Sequence, residues 1–406
     1  MPLRSLTVAL VLLAATLVAA QEPEGVTRFF IDSIAVEGVR WASERVIVAE
    51  TRLQAGREYT EPELRDAAAR ATRLPFVLRV EPRLEKGANR GAYRLVIAVT
   101  ETKPLFFGGA YLDEHDQRDV RQFTIGARRF TGRSGMLHGA ATALLESDDR
   151  LYELGYTQYD LFGSGVFVAT TLEYGKIPND FGGGYHATVA DHLTAQVVAG
   201  VPLRGNHALR ATFHSAPLAV GSEKPREEQR PGESLVIERA TTTELSWICD
   251  STDDPLFTTR GTRGVAGVGR RNVPFVVPVL PEAIRANQRH AWLTADLRRA
   301  WSVAPRHTIV AQGGLTSLRR KFGSAGEDVE HAPSFGATYA YSVFGPDRPS
   351  RLGDLRLEGS VVHERSYFED DFEQRSAAMT IARLGLLFRS EWGVVRLRFD
   401  LERHRE

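Results

Sequence analysis

The densest run of side chains that could do chemistry is Cys249-Asp250-Ser251-Thr252-Asp253-Asp254-Pro255-Leu256-Phe257-Thr258-Thr259-Arg260-Gly261. Asp250, Asp253 and Asp254 offer three carboxylates to a hard cation. Aspartates beside proline and glycine also bond the amides of a tight turn. The turn reading outweighs the metal reading, so no metal is assigned. Cys249 reads as a small apolar residue. The sequence has no Gly-x-Ser-x-Gly nucleophile elbow and no phosphate-binding Gly-x-x-x-x-Gly-Lys-Ser/Thr. Its eleven histidines show no His-Glu-x-x-His or cysteine-linked metal spacing. Gly182-Gly183-Gly184 reads as a turn or bulge. No catalytic residues and no cofactors are expected, and the protein is not expected to be an enzyme.

The elements that must hold such a turn are strands. Over 394–401, Val395, Leu397, Phe399 and Leu401 point one way and Arg396, Arg398 and Asp400 the other. A period of two marks a strand with one apolar and one polar face. Leu293, Ala295, Leu297 and Trp301 likewise oppose Thr294, Asp296 and Arg298, and Leu355, Leu357 and Val361 oppose Asp354, Arg356, Glu358 and Ser360. The expected strands are 105–112, 134–145, 150–161, 166–174, 185–192, 193–202, 207–218, 235–249, 258–271, 287–301, 306–318, 333–344, 352–365, 377–389 and 391–402. Many are long enough to cross a bilayer at a tilt, which takes roughly 9–11 residues, and their polar faces carry charge strand after strand. That pattern favours a barrel, greasy outside and wet inside, over a soluble β-protein. The polar stretches 221–232, 320–331 and 365–374 read as long loops, and 163–165 and 205–206 as tight turns. The apolar stretch 272–286 is open between a loop in lipid headgroups, a cover for the mouth and an extended strand pair.

Length and composition set the frame. The chain has 406 residues, enough for two domains. Its 51 basic and 51 acidic residues leave no basic excess for nucleic acid. Residues 1–20 read as a secretory signal, with Arg4, an apolar core over 6–18 and a small-residue site before Gln21, and 21–26 as a short linker. One cysteine allows no internal disulfide. A closed barrel supplies stability another way, because every strand is paired.

Residues 27–102 differ: strand, helix, helix, strand, strand. Ser43 is placed to cap a helix running to about Leu53 and closed by Gly56. Thr60-Glu61-Pro62-Glu63 is a capping box, and Leu64, Ala67, Ala68 and Ala71 mark one helical face. A hairpin turns around Gly87 and Gly91. The result is a small α+β domain.

Ile34-x-Val36-x-Gly38, Gly56-x-x-Tyr59-Thr60 and the closing Val99-Thr100-Glu101 resemble a POTRA domain, a periplasmic polypeptide-binding module. From 103 to 406 the chain resembles the membrane barrel of BamA/TamA-type proteins. Asp253, Asp254, Pro255, Arg260 and Gly261 match that family's corner between two strands, and 297–301 followed by 308–314 its next strand pair. The resemblance implies about 14–16 strands, with 16 favoured, although the runs number nearer 15. It implies a monomeric barrel in the outer membrane of a Gram-negative-type bacterium, with the POTRA domain in the periplasm. The partners it implies are outer-membrane lipid, a client outer-membrane or secreted polypeptide, and a periplasmic protein on the POTRA domain, with no nucleic acid. The implied function is to bind clients and assist their insertion or translocation through a seam between 105–112 and 391–401. A passive pore, or a barrel displaying a separate lipase or esterase, is the alternative. The chain departs from the family in three ways. It has a single POTRA domain. It continues past Phe399. It lacks a Val-Arg-Gly-aromatic loop tip, for which Arg348, Arg351, Gly353 and Asp354 are the nearest candidates.

Overall fold

A computed structural model describes residues 27–405 except 115–116, 133, 145–149, 182–184, 204, 223–234, 280–281, 323–326, 345–352 and 370–373. The expected signal and linker, the Gly182–184 run and most of the 221–232 loop lie outside the described residues.

The first unit contains β1 (Arg28–Glu37), α1 (Glu44–Thr51), β2 (Arg57–Thr60), α2 (Glu61–Ala71), β3 (Val77–Lys86) and β4 (Ala92–Glu101). Its sheet order is β2-β1-β4-β3. The Thr60 hydroxyl accepts from the Glu63 N–H, and the Glu63 carboxylate accepts from the Thr60 N–H at 2.7 Å. This capping box satisfies two otherwise orphaned amides and contributes about 1 kcal/mol. Ser43 occupies the N-cap position of α1, but its side chain does not cap the helix. The helix stops at Thr51, short of the expected Leu53, because Arg52 turns left-handed at φ 58°. The sequence reading missed β2, a four-residue strand that exists only through its pairing with β1. Val46, Ile47, Leu64, Ala67 and Ala71 pack from the helices against Ile31, Phe76, Leu95 and Ile97.

The second unit is a closed barrel, fifteen-stranded among the described residues. Its strands are β5 (Leu105–Glu114), β6 (Gln117–Thr131), β7 (Gly135–Leu144), β8 (Arg150–Leu161), β9 (Val166–Phe181), β10 (Tyr185–Pro202), β11 (His207–Ser222), β12 (Leu235–Asp250), β13 (Gly261–Val279), β14 (Glu282–Ala304), β15 (His307–Phe322), β16 (Glu327–Phe344), β17 (Asp354–Glu369), β18 (Gln374–Ser390) and β19 (Gly393–Arg405). The count is fifteen, not the favoured sixteen. Two errors in the sequence reading cancel. It missed β6, whose far half carries Arg118, Asp119 and Arg121 and looks like a loop. It split β10 at a register shift between Val189 and His192.

Successive antiparallel strands alternate direction, so the first and last of an odd set run the same way. The barrel therefore closes through a parallel pairing of β19 with β5, from Gly393↔Phe107 to Phe399↔Asp113. This is the shortest register among the described barrel pairings. By contrast, β13 and β14 pair from Gly261↔Ala300 to Val279↔Glu282. The 272–286 stretch is thus an extension of a strand pair. Much of 320–331 and 365–374 is also strand, closing at Lys321↔Glu327 and Glu369↔Gln374. A strand end that stands clear of the apolar band tolerates charge, so polarity alone did not mark loops there.

The two faces follow the alternation. Phe335, Leu384, Ile125, Val361 and Phe399 are exposed on the outer surface. Inside, Thr124 bonds Thr142 at 2.7 Å and His138 meets Glu153 at 2.9 Å. Asp400 is buried and pairs with Arg383 at 3.1 Å. A seam in this register places Gly109 opposite Val395, with the Val395 side chain beside Gly109. A Gly109→Cys/Val395→Cys pair in a Cys249→Ser background is expected to form a disulfide under oxidation. A one-residue slip would turn the thiols to opposite faces, so absence of the crosslink in the folded barrel would refute this register.

Candidate functional site at the near mouth

The near ends of β6 and β7, β8 and β9, β10 and β11, β12 and β13, β14 and β15, β16 and β17, and β18 and β19 ring the mouth that faces the first unit. The β12–β13 turn is the one picked out by sequence. The Asp254 carboxylate accepts from the amides of Leu256 and Phe257, both at 2.8 Å. Asp253 accepts from the amides of Thr259 at 2.9 Å and Arg260 at 3.2 Å. Asp250 accepts from the Thr252 amide at 3.0 Å and its hydroxyl at 2.6 Å. The aspartates are turn formers whose oxygens are taken up by the chain itself. Pro255 leads into the turn, and Arg260 keeps its guanidinium 4.0 Å from Asp253. Gly261 ends the corner at φ 108°, where a Cβ would press on Ser251 O and lie 2.7 Å from Thr252 Cα. Thr258 and Thr259 bond back to Asp254 and Asp253, so β13 starts at Gly261 and not at the expected residue 258.

This turn reaches across the mouth. Arg389, at the near end of β18, donates from Nη1 to Asp254 at 2.7 Å and from Nη2 to Asp354 at 2.7 Å. Its guanidinium sits 4.6 Å from the centre of the Phe257 ring. Arg356 donates to the Thr258 carbonyl at 2.8 Å. Two candidates read separately from sequence, the corner Asp254 and the loop residue Asp354, are therefore partners of one guanidinium. Asp354 opens β17 at this mouth, preceded by Gly353 at φ 127°. Both are parts of the mouth scaffold. Arg348 and Arg351 lie outside the described residues. The sequence reading missed Arg389, whose only signal was its place on the polar face of a strand.

The first unit is fastened onto the same ring. Arg45 pairs with Asp160 at 2.8 Å. Arg52 donates to the carbonyls of Leu203 at 2.9 Å and Gly205 at 2.6 Å. Arg70 donates to Asn206 at 2.7 Å, Arg73 to the Asp250 carbonyl at 2.7 Å, and Arg79 lies 3.4 Å from Asp354. An aromatic cluster joins the two cores: Phe76 contacts Phe130 of β6 at 4.9 Å and Tyr159 of β8 at 6.0 Å, with Trp41 alongside. Beside this interface a cavity of about 570 Å³ is lined by Asp66, Arg79, Asp253, Phe257 and Arg389. The arrangement couples the first unit mechanically to the mouth.

Burial, with Arg52 next to it, pulls the Arg70 guanidinium down to about 10. Burial also raises the Glu50 carboxyl on α1, and Arg52, Arg73 and Arg70 oppose that rise only in part. A carboxyl raised in the folded state binds its proton more tightly than the unfolded chain does. Its contribution to stability is therefore present at low pH. That contribution is lost as pH climbs from the ordinary carboxylate range, about 4.3, towards the raised value. Glu50→Gln is expected to match the parent at low pH and to gain on it as pH rises. Hydrogen exchange of α1 and α2 amides checks this. A difference that does not grow with pH would refute it.

No protein-family model matches the sequence, and no curated protein matches it. Solved structures are similar in fold. One is BamA from Haemophilus ducreyi lacking POTRA domains 1–3, at 13% identity and a TM-score of 0.42, covering 93% of this chain and 85% of that one. Another is a loop-deletion mutant of OmpT, an outer membrane protein of Vibrio cholerae. It shares 14% identity at a TM-score of 0.39, over 74% of this chain and 91% of that one.

Proposed function

We propose that the chain is an outer-membrane barrel of the BamA/TamA type. Residues 27–102 act as a periplasmic POTRA domain that receives client polypeptides, and the barrel assists their insertion or translocation. The outer face of apolar side chains around a polar lumen suits strands that cross lipid. The observation that carries the client reading is an open sheet edge held against the mouth of a barrel with a short seam. Among the described residues β3 has no neighbour on one side, and its outer half, Glu81–Lys86, is exposed. An extended client segment can add to such an edge through main-chain hydrogen bonds. Pro82 lacks an N–H and the edge is charged, which guards it against indiscriminate pairing. Among the described barrel pairings, the β19–β5 seam has the fewest paired residues.

Depletion followed by outer-membrane proteomics tests the reading. Loss of a defined set of outer-membrane or secreted proteins is the expected result, and an unchanged proteome would sink it. A photo-crosslinker at Arg83 on the β3 edge should capture the same proteins. Heat-modifiable gel mobility of the membrane-extracted protein tests the barrel itself. The polar lumen favours a passive pore as the second reading, which conductance without a client effect would support.

A further inference from the structure

The near end of the lumen contains an arginine-rich chamber that nothing in the client-handling reading requires. It has a volume of about 410 Å³ and is bounded below by the β12–β13 turn. Six arginines line it: Arg263, Arg298, Arg356, Arg383, Arg396 and Arg398. The acids facing them are fewer. Glu358 lies 3.0 Å from Arg356, and Asp296 lies 3.6 Å from Arg298. Asp400 is shared between Arg383 at 3.1 Å and Arg398 at 3.0 Å. Asp250 lies 4.0 Å from Arg263 but also serves Arg73 of the first unit. Among the described residues Arg396 faces no carboxylate within ion-pair distance. The chamber thus keeps a surplus of positive charge between low-dielectric walls, which focus the field on its centre.

Gln312, Thr338 and Ser360 add polar groups to the same lining. Guanidinium forks with hydroxyl and amide donors are the set that recognises phosphate oxygens, often in bidentate fashion. A volume of a few hundred Å³ is the usual scale for a small-ligand site. Arg396 and Arg398 stand on β19, the seam strand, so the chamber can be approached along the lumen or from the closing seam.

We propose that this chamber binds a phosphate-bearing anion. Such a group has two possible sources, a soluble phosphate compound in the lumen and a lipid headgroup at the seam. Isothermal titration on the full chain, folded in an uncharged glycoside detergent at low salt, tests both. One arm titrates inorganic pyrophosphate, and the other titrates mixed micelles containing phosphatidylglycerol. Saturable binding of pyrophosphate, weakened about tenfold by Arg396→Glu and by Arg263→Gln, supports a soluble ligand. Binding only of phosphatidylglycerol micelles, with the same loss, supports the headgroup. Arg65→Glu, on the exposed face of α2, is the charge-matched control and should leave binding intact. Heat-modifiable mobility confirms that each variant is folded. Absence of binding in both arms, or binding to which Arg396 and Arg263 are indifferent, would overturn the proposal.

Discussion

Arg389→Ala is expected to lower stability by about 3–5 kcal/mol, the cost of removing one partner from a buried ion pair. The Arg389 side chain is 9% exposed and Asp354 is 6% exposed. Without the guanidinium, Asp254 loses its ion-pair partner and Asp354 keeps only Arg79 at 3.4 Å. The β12–β13 turn loses its anchor on β18, and Phe257 loses the cation over its ring. Arg389→Lys keeps a charge but cannot fork to both carboxylates, so it should fall between the parent and alanine. The triple variant Arg389→Met/Asp254→Asn/Asp354→Asn removes the stranded charges together and should cost less than Arg389→Ala alone. Urea midpoints, read by the fraction of heat-modifiable protein, provide the measurement. A loss under about 1 kcal/mol for Arg389→Ala would mean that the network is hydrated and contributes no more than a surface pair.

The second large effect is expected at the seam. Gly393 opens β19 at φ 152°, with its backbone against Phe107 of β5. A Cβ there would collide with the Phe107 carbonyl oxygen and lie 2.8 Å from its carbonyl carbon. These are backbone atoms of the facing strand and cannot rotate away. Gly393→Val therefore adds backbone strain to a clash at the short pairing that closes the barrel, a loss of about 3 kcal/mol or more. The expected signs are loss of the Gly109→Cys/Val395→Cys crosslink and a reduced heat-modifiable fraction. Gly359→Ala is the control: it lies within a strand, and its added Cβ would touch only Leu384 at 3.9 Å. If Gly393→Val crosslinks and folds like the parent, the seam is not closed in this geometry.

Much of the fold was written in local pattern. Alternation at Val395 to Asp400 predicted which side chains of β19 face outwards, and Phe399 and Asp400 lie as expected. The Thr60 capping box placed the start of α2 because its two hydrogen bonds join residues three apart. The Asp253, Asp254, Pro255 and Gly261 corner was legible for the same reason, since its bonds run within the turn. Pairing was not legible. β6 looked like a loop because Arg118, Asp119 and Arg121 interrupt the apolar alternation at its start. β2 had no signal beyond its partner β1. The strand number, and with it the parallel seam, followed only once every strand had a neighbour.

The candidate site divides along the same line. Asp254 and Asp354 could each be singled out from sequence, but nothing local states that they share Arg389, which lies 135 residues from one and 35 from the other. The arginines of the chamber are each one polar position in an alternating strand. Single-strand periodicity determines that they point inwards. Only barrel closure brings β13, β14, β17, β18 and β19 around one volume and turns scattered charges into a common field, because charge density depends on distances that the sequence does not contain.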